Sequence, residues 1–484
     1  MSLLDRLLDR TIASFFPALG ARRAAARNRI GVIQNLGHFK GAGRGARGKD
    51  FRANNTDAVE AMRADHGRLS WIARDQIRND PRAVRLTTLL VDLLVGKGIE
   101  WQVHAPSLTD DQRQKITDTL NDHLKTTAID AEGRHTLGGL IALSVATAIV
   151  SGEILIRRRL RRAADGLPVP LQLQLLEGDY LDLEKDGDLA GGAYQIQGVE
   201  FDPIGRRRAY HLYRAHPGSR RFSRMRSSPV PAESVIHAYR SDRPGQVRGV
   251  SWFAPVLTLL HDLASYQDAQ VKRQEIASMF AGILTATEGT AARDTEFGEL
   301  SAGAVLELRE GEEMDFTDPP SVEGYDQFMK TTLATVAGGM NLNYNAVAAD
   351  YDGVSFSGGR MARLDTDAGI ERLQSELVIG QICVPIGGWI KDALDPLLEV
   401  DPEKWSLKWT PPKRPVVDPA RENAAEVEAV SGGIKSRRQV MRERGFDPEE
   451  VEAEIAAERE WEATNNIQFG KPAHTNRRED NTDE

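Results

Sequence analysis

A ten-residue stretch near the start of the chain, GAGRGARGKD (residues 41–50), comes close to a loop that binds nucleotide phosphates. Gly43, Gly48 and Lys49 fit the pattern G-x-x-x-x-G-K, in which backbone N–H groups and the lysine hold the phosphates. The next position needs a Ser or Thr hydroxyl to bind Mg²⁺, but this chain has Asp50, whose carboxylate would repel the phosphates. The sequence therefore predicts a flexible basic arm here and no nucleotide-driven motor.

The other residues that could do chemistry do not form a known catalytic or metal-binding pattern. The ten histidines are scattered outside any H-E-x-x-H motif, and the single cysteine, Cys383, cannot build a zinc ribbon. No G-x-S-x-G nucleophile elbow is present. Asp350 and Asp352 lie in ADYDGVSFSG, which lacks the third carboxylate and the distal glutamate of a calcium loop. We predict no cofactor, no metal and no catalytic residue, with an enzyme kept as an open alternative.

Composition and charge further limit the class of protein to which the chain can belong. The chain has 484 residues, 40% hydrophobic and 27% charged, with a net charge of −9, and is long enough for several domains. Residues 1–50 are basic, whereas residues 285–318 are strongly acidic, so a compact basic nucleic-acid domain is excluded. The arginine runs at 157–159 and 206–208 could bind phosphates, but we expect solvated or inter-subunit charges there.

Cys383 and the apolar runs indicate the environment of the chain. A single cysteine cannot form an intrachain disulfide, which fits a reducing compartment, and its apolar neighbours predict a packing role. No run approaches the roughly 20 apolar residues that span a bilayer, so we predict no membrane partner.

The elements that must position these residues change in character along the chain. Residues 56–150 have mostly helical periodicity, and AVRLTTLLVDLLVGKGI closes with Gly96 and Gly98. Residues 151–240 shift towards a period of two, which predicts an antiparallel sheet beside the helices. Residues 256–281 contain no Gly or Pro and predict one helix of roughly 39 Å, at about 1.5 Å per residue. Such a helix is long enough to act as a structural strut.

The second half of the chain predicts alternating helices and loops. Short strands are expected at 304–308 and 314–317, and a second long helix at about 322–340. Residues 341–360 read as a polar loop, followed by a helix from about Met361 with a kink at Pro385. Asp447 and Pro448 form a helix start, with Asp as the N-cap and Pro at the first position.

Several of these stretches together resemble the portal proteins of tailed phages, specifically the lambda-type family. They include IRNDPRAVRLTTLLVDLLVGKGI, LELREGEEMDF, DYDGVSFSGGR and a C-terminal GGIKSRRQVMRERGFDPEE, and the similarity covers about residues 60–460. The most specific part is the block R-P-G-Q-x-R-G-x-x-W, made of Arg243, Pro244, Gly245, Gln246, Arg248, Gly249 and Trp252. One departure is that the family's Y-S-S-x-R appears here as FSGGR at 356–360.

The resemblance implies an α+β portal fold, with a helical stem, an antiparallel-sheet wing, a β-containing clip and a helical crown. It implies a homo-oligomeric ring, normally of twelve subunits, at one capsid vertex that conducts double-stranded DNA during packaging and ejection. The implied partners are terminase, the major capsid protein and a head–tail connector or adaptor, in the virion and, during assembly, in the host cytoplasm. The implied segments are a basic arm (1–55), the wing (56–250), stem helix 1 (251–282), the clip (283–320), stem helix 2 (321–340), the tunnel loop (341–360), a kinked wing helix (361–410), the crown (411–465) and a disordered tail (466–484).

Two sets of candidate site residues follow from the resemblance. The tunnel loop would place in the DNA channel the residues Tyr344, Asp350, Tyr351, Asp352, Phe356, Ser357 and Arg360. The clip would dock the motor or connector through Glu307, Glu310, Glu312 and Glu313. The alternatives that remain open are a packaging enzyme, such as the terminase large subunit, and another capsid or adaptor component.

Overall fold

The computed structural model describes residues 55–220, 226–278, 282–286, 312–316, 324–398, 400–413, 419–446 and 448–465. The chain divides into two units, Met1–Asp57 and Ala58–Glu484, and all the elements below belong to the second. The near-miss phosphate loop, the expected strand at 304–308, Glu307, Glu310 and the tail from 466 lie outside the described residues.

The strands of the described residues pair antiparallel in four sheets, with the orders β3-β2-β9, β4-β5-β6-β7-β8, β1-β12 and β10-β11. The strands are β1 (Glu100–His104), β2 (Glu153–Leu160), β3 (Leu171–Glu177), β4 (Gly187–Asp188), β5 (Tyr194–Ile196), β6 (Val199–Phe201), β7 (Arg207–Leu212), β8 (Ser228–Pro231), β9 (Val235–Tyr239), β10 (Gly282–Ala286), β11 (Glu312–Phe316) and β12 (Ser406–Thr410). The antiparallel sheet predicted within 151–240 is confirmed, as two sheets.

Strand β2 separates two hydrophobic cores, because successive side chains of a strand point to opposite faces. Ile154 and Ile156 lie in the larger core with the helices, whereas Leu155 lies in a smaller core with residues of the five-stranded sheet. The pairing registers agree with this division: Leu155 is opposite Leu176 of β3, and Ile156 is opposite Ile236 of β9.

The larger core lies among the helices of the described residues, although the first and the last three of them contribute no residue to it. These are α1 (Ala58–Met62), α2 (His66–Asn79), α3 (Pro81–Leu94), α4 (Asp110–Leu124), α5 (Leu137–Ser151), α6 (Leu257–Ser278), α7 (Tyr325–Gly339), α8 (Tyr344–Ala348), α9 (Phe356–Leu373), α10 (Val384–Leu394), α11 (Pro419–Ser431), α12 (Arg437–Glu443) and α13 (Pro448–Asn465). Local signals set several of the ends. Helix α3 starts at Pro81 with the Asp80 carboxylate as N-cap, and Gly96 follows its end at a φ of +52°.

Helices α6 and α7 form an antiparallel pair. A Cβ added at Gly339, the end of α7, would lie 2.7 Å from Val256 at the start of α6. Further along, Tyr266 of α6 packs on Tyr325 and Phe328 near the start of α7, with ring centroids 5.7 and 4.6 Å apart. Strand β10, which follows α6 in the chain, and strand β11, which precedes α7, also pair antiparallel. The two predicted long helices are confirmed, within Leu257–Ser278 and Tyr325–Gly339.

The helix expected from Met361 differs from the prediction in two ways. It starts five residues earlier, at Phe356, because Ser355 acts as N-cap and its Oγ accepts from Gly358 N at 3.1 Å. The prediction was a kink at Pro385. The structure instead has a π-helix over Gln374–Cys383, which ends directly before α10. Proline has no N–H to donate, which accords with this change of hydrogen bonding just ahead of it.

The combined helical stretch Phe356–Leu397 meets a length and apolarity criterion for a membrane span, although no span was predicted. About 56% of its most apolar 18-residue stretch is buried inside the protein. Because a buried core helix meets the same criterion, this is weak evidence for a membrane segment. The buried residues of the stretch include Cys383, and burial raises the pKa of its thiol to about 12. The thiol therefore stays protonated and packs in the core as predicted.

Candidate functional site

The segment between α7 and α9 is more ordered than a polar loop. Tyr344 lies in the short helix α8, whose N-cap Asn343 accepts from Asn345 N at 2.9 Å. Asp350 follows α8 and accepts hydrogen bonds from Tyr344 Oη at 3.1 Å and Asp352 N at 3.3 Å. Its carboxylate also lies 3.3 Å from Lys330 Nζ of α7. The bonds from Tyr344, the Asp352 backbone and Lys330 together lower the pKa of Asp350.

Four predicted loop residues lie on helices instead, Tyr344 on α8 and three others on α9. Phe356, Ser357 and Arg360 belong to the first turns of α9, and all three are exposed. The loop reading was wrong for these positions because two glycines, at 358 and 359, gave the stretch a poor helical propensity that the Ser355 cap overrides. Outside α8 and α9, the segment is irregular at residues 341–343 and 349–355.

Exposed apolar side chains are concentrated in this segment. Tyr351 and Phe356 are 62% and 56% exposed, and Met361 and Leu364 on α9 are 61% and 55% exposed. Tyr351 and Phe356 line a cleft of about 760 Å³ together with leucines of α3, whereas Met361 and Leu364 do not line it. Large apolar side chains grouped on a surface indicate a contact with another molecule.

The block R-P-G-Q-x-R-G-x-x-W begins with a tight turn. Gly245 adopts a φ of +78°, and Gln246 N donates to Arg243 O at 3.3 Å across Pro244. The Gln246 side chain then closes the turn: its Oε1 accepts from Asp242 N at 2.9 Å, and its Nε2 donates to Arg248 O at 2.8 Å. The conformation of this turn brings Arg248 into the protein interior.

Arg248 and Glu153 form a fully buried ion pair, with side chains 2% and 1% exposed. Arg248 Nε lies 2.9 and 3.0 Å from the two Glu153 oxygens, and a second guanidinium nitrogen also bonds Glu153. The remaining donors reach Gly178 O at 3.1 Å and Gln197 O at 3.4 Å. Burial by itself would raise the pKa of Glu153, but Arg248 and two histidines outweigh it and hold the pKa well below its usual range.

Two neutral histidines complete the environment of Glu153. His237 Nε2 donates to Glu153 at 2.9 Å, and His66 Nε2 donates to Gly249 O at 2.7 Å. Burial lowers the pKa of both rings, that of His237 to about 4. The sequence analysis missed this cluster. The only local signal was a Glu and a His inside otherwise apolar strands, EILI and VIHAY.

The last part of the block fastens the start of α6 to this cluster. Gly249 is required by close packing, since a Cβ there would lie 2.1 Å from Gly152 O. Gly249 N donates to Glu153 at 2.9 Å, and Trp252 N donates to Ile149 O of α5 at 3.0 Å. Arg240 stacks over the buried Trp252 ring at 4.9 Å. The block thus joins β2, α5 and α6.

Of the four glutamates predicted in the clip, the structure describes two. Glu312 and Glu313 lie on β11, opposite Ala286 and Thr285 of β10. Elsewhere, Glu177, Asp179 and His216 come close enough together to hold an ion, which the sequence did not indicate. Arg74 forms ion pairs with Glu177 and Asp179, however, so we interpret these residues as an ion-pair cluster.

The best-formed polar site of the described residues, the buried Arg248–Glu153 pair, joins elements of the fold to one another. The family described as phage portal protein, lambda family, matches residues 44–374, and the chain belongs to this family. The predicted family and the α+β portal fold are thereby confirmed, and portal proteins are in general structural and not enzymes.

Individual relatives agree with this assignment. The chain is 26% identical over 430 residues to a probable portal protein of Halomonas phage phiHAP-1, covering 84% of this chain and 82% of the relative. It is 19% identical over 475 residues to the portal protein of Escherichia phage N15, covering 87% and 89%. Among solved structures, the neck of a native GTA particle computed with C12 symmetry matches with 12% identity and a TM-score of 0.48. That match covers 81% of this chain and 99% of the other.

Proposed function

We propose that this chain forms a closed homo-oligomeric ring, normally of twelve copies, at one vertex of a phage capsid. The ring would conduct double-stranded DNA during packaging and ejection, and would contact terminase, the major capsid protein and a head–tail connector. It would be part of the virion and, during assembly, lie in the host cytoplasm, with no catalytic activity, cofactor or metal of its own. Family membership carries the proposal, supported by the antiparallel pair α6–α7, which has the form of a strut.

The segments take the roles that the resemblance implies. Helices α6 and α7 form the stem, strands β10 and β11 begin and end the clip, and helices α11 to α13 belong to the crown. The three-stranded and five-stranded sheets belong to the wing, into which the α9–α10 stretch returns. The buried Arg248–Glu153 pair supports this division, because it fixes the start of the stem helix to the wing sheet.

The channel constriction is proposed to be residues 349–355 with the first turn of α9. Asp350 and Asp352 would face the DNA with negative charge, so the duplex slides instead of binding. The Lys330–Asp350 pair weakens that repulsion locally and ties the segment to the stem. Docking of the motor or connector is proposed at the acidic clip, through charge complementarity with a basic partner surface.

Negative-stain electron microscopy of the purified chain tests the proposal directly. We expect rings with a central hole, because a subunit with two different complementary faces closes into a ring. Mass photometry at low and high salt gives the subunit number. Monomers or dimers under all conditions would contradict the proposed ring.

A further inference from the structure

Strand β2 carries arginines on both of its faces, and the two faces differ in their partners. Arg158 points to the helical side. Its Nε donates to Ser234 Oγ at 3.2 Å, and its guanidinium lies 3.6 Å from both Glu233 and Asp392. It also lies over the Trp389 ring at 5.9 Å. The arginine on this face of the strand therefore has its charge partners within one copy of the chain.

On the opposite face, the side chains of Arg157 and Arg159 make no hydrogen bond or ion pair within the described parts of the chain. Both side chains are partly buried. Burial lowers the pKa of Arg157, and the neighbouring charge of Arg159 lowers it further. Two like charges at alternate positions of a strand lie only about 7 Å apart along the backbone. The pair is thus desolvated and mutually repulsive.

The surrounding residues are neutral donors and acceptors. Gln174 of β3 is directly opposite Arg157, and Gln172 is opposite Arg159. Arg161, the next residue on this face, is held by its bond to Gln172 Oε1 at 2.7 Å, and Gln172 in turn donates to Ala128 O. Arg161 is therefore anchored by an amide, whereas Arg157 and Arg159 present free guanidinium groups beside it.

We propose that Arg157 and Arg159 bind side-chain carboxylates of a neighbouring copy of this chain. The inference rests on the proposed ring and names one contact within it. Guanidinium groups bind carboxylates in a planar, two-bond geometry, and a partly buried arginine gains most from such a partner.

A second copy is the occupant that charge favours. Each copy carries 71 Asp and Glu against 62 Lys and Arg, so carboxylates are in excess on every neighbour. A duplex, in contrast, is held by many phosphate contacts along an open basic surface. Two partly buried guanidinium groups with glutamines opposite them on β3 suit one or two carboxylates better than a phosphate backbone.

A zero-length cross-link identifies the partner. In the variant Arg157→Lys/Arg159→Lys, a carbodiimide joins each lysine amine to any carboxylate in contact with it. Assembly from equal amounts of ¹⁵N-labelled and unlabelled chains separates links between copies from links within one copy. We expect mixed-isotope links from Lys at 157 or 159 to Asp or Glu. Links within one copy only, or no links in rings seen by microscopy, would overturn the contact and leave the ring itself standing.

Charge removal gives a second readout. We expect Arg157→Gln/Arg159→Gln to raise the concentration needed for ring formation by roughly tenfold, with unchanged thermal unfolding of the monomer. The matched control is Arg162→Gln, an exposed arginine two residues beyond the end of the same strand, which should leave assembly unchanged. Unchanged assembly of the double variant contradicts the proposal, as does a loss only of duplex-DNA or capsid-protein binding. If the wild-type chain forms no ring at all, the proposed function fails first.

Discussion

The two ion pairs at the ends of the α6–α7 region are built in opposite ways. Arg248–Glu153 is buried beside the start of α6, with further bonds to backbone carbonyls and a histidine. Lys330–Asp350 lies at the surface, 3.3 Å apart, with the Lys330 side chain 58% exposed. A buried pair that loses one member leaves an uncompensated charge, whereas water replaces either member of an exposed pair. We infer that the first fixes geometry and that the second can open without cost to the fold.

The largest effect is expected at the buried pair. Arg248→Met should lower the free energy of unfolding by about 3–5 kcal/mol, because Glu153 remains buried without its cation. Chemical denaturation measures the change. Adding Glu153→Gln to Arg248→Met should recover part of the loss, since no charge is then left unpaired. The control Arg240→Met, which removes the stacking on Trp252, should cost under about 1 kcal/mol. Equal losses of unfolding free energy for Arg248→Met and Arg240→Met would show that the buried pair is no more important to the fold than the stacking contact.

Lowering the pH should weaken the buried cluster and leave the exposed pair intact. Burial holds the pKa of His237 at about 4, below its ordinary 6.5, so the unfolded chain takes up protons first as the pH falls. Stability is then lost between about pH 6.5 and pH 4, by up to about 3 kcal/mol for His237. His66 acts in the same direction, and Glu153 adds its loss at lower pH. His237→Gln should flatten the dependence of the melting temperature on pH; parallel curves would count against this cause.

Close packing at the buried cluster predicts a smaller effect. Gly249→Ala places a Cβ 2.1 Å from Gly152 O, so the backbone must shift, at a cost of about 1–3 kcal/mol. Gly338→Ala in α7 is the matched control, because no atom lies within 4 Å of its added Cβ. The control should stabilise the helix by about 0.5–1 kcal/mol. Thermal unfolding of both variants checks that Gly249→Ala lowers stability and Gly338→Ala raises it. Unchanged stability of Gly249→Ala would show that the contact between Gly249 and Gly152 is not tight.

The smallest effect on stability is expected at the exposed pair. Lys330→Ala should leave the free energy of unfolding nearly unchanged, because solvent and salt screen an exposed pair. Its consequence should instead appear in DNA retention by assembled particles, because the segment at 349–355 loses its tie to α7. Asp350→Asn is the comparison variant, because it removes the charge that pairs with Lys330 but still allows the hydrogen bond from Tyr344. A loss of several kcal/mol in either variant would make this pair part of the scaffold.

Much of the fold could be predicted from the sequence where local patterns decide it. The period of two in residues 153–160 and 171–177, and the uninterrupted helical period of residues 257–278, specify elements without reference to the rest of the chain. The Pro448 helix start and the turn after α3 are equally local. The helix at Phe356 was missed, because the Ser355 cap was weaker as a signal than two adjacent glycines. The tunnel, clip and domain assignments stay predictions.

The sequence by itself determined the type of most elements and the family, through the specific block from Arg243 to Trp252. Only the tertiary structure decided which charges have partners. Glu153 and Arg248 are 95 residues apart, so no local pattern could pair them. On β2, three consecutive arginines differ only in the face to which the pleat directs them. Arg158 meets two carboxylates, whereas Arg157 and Arg159 meet none within the described chain. Pairing depends on which surfaces pack together, and packing depends on contacts between residues that are distant in sequence.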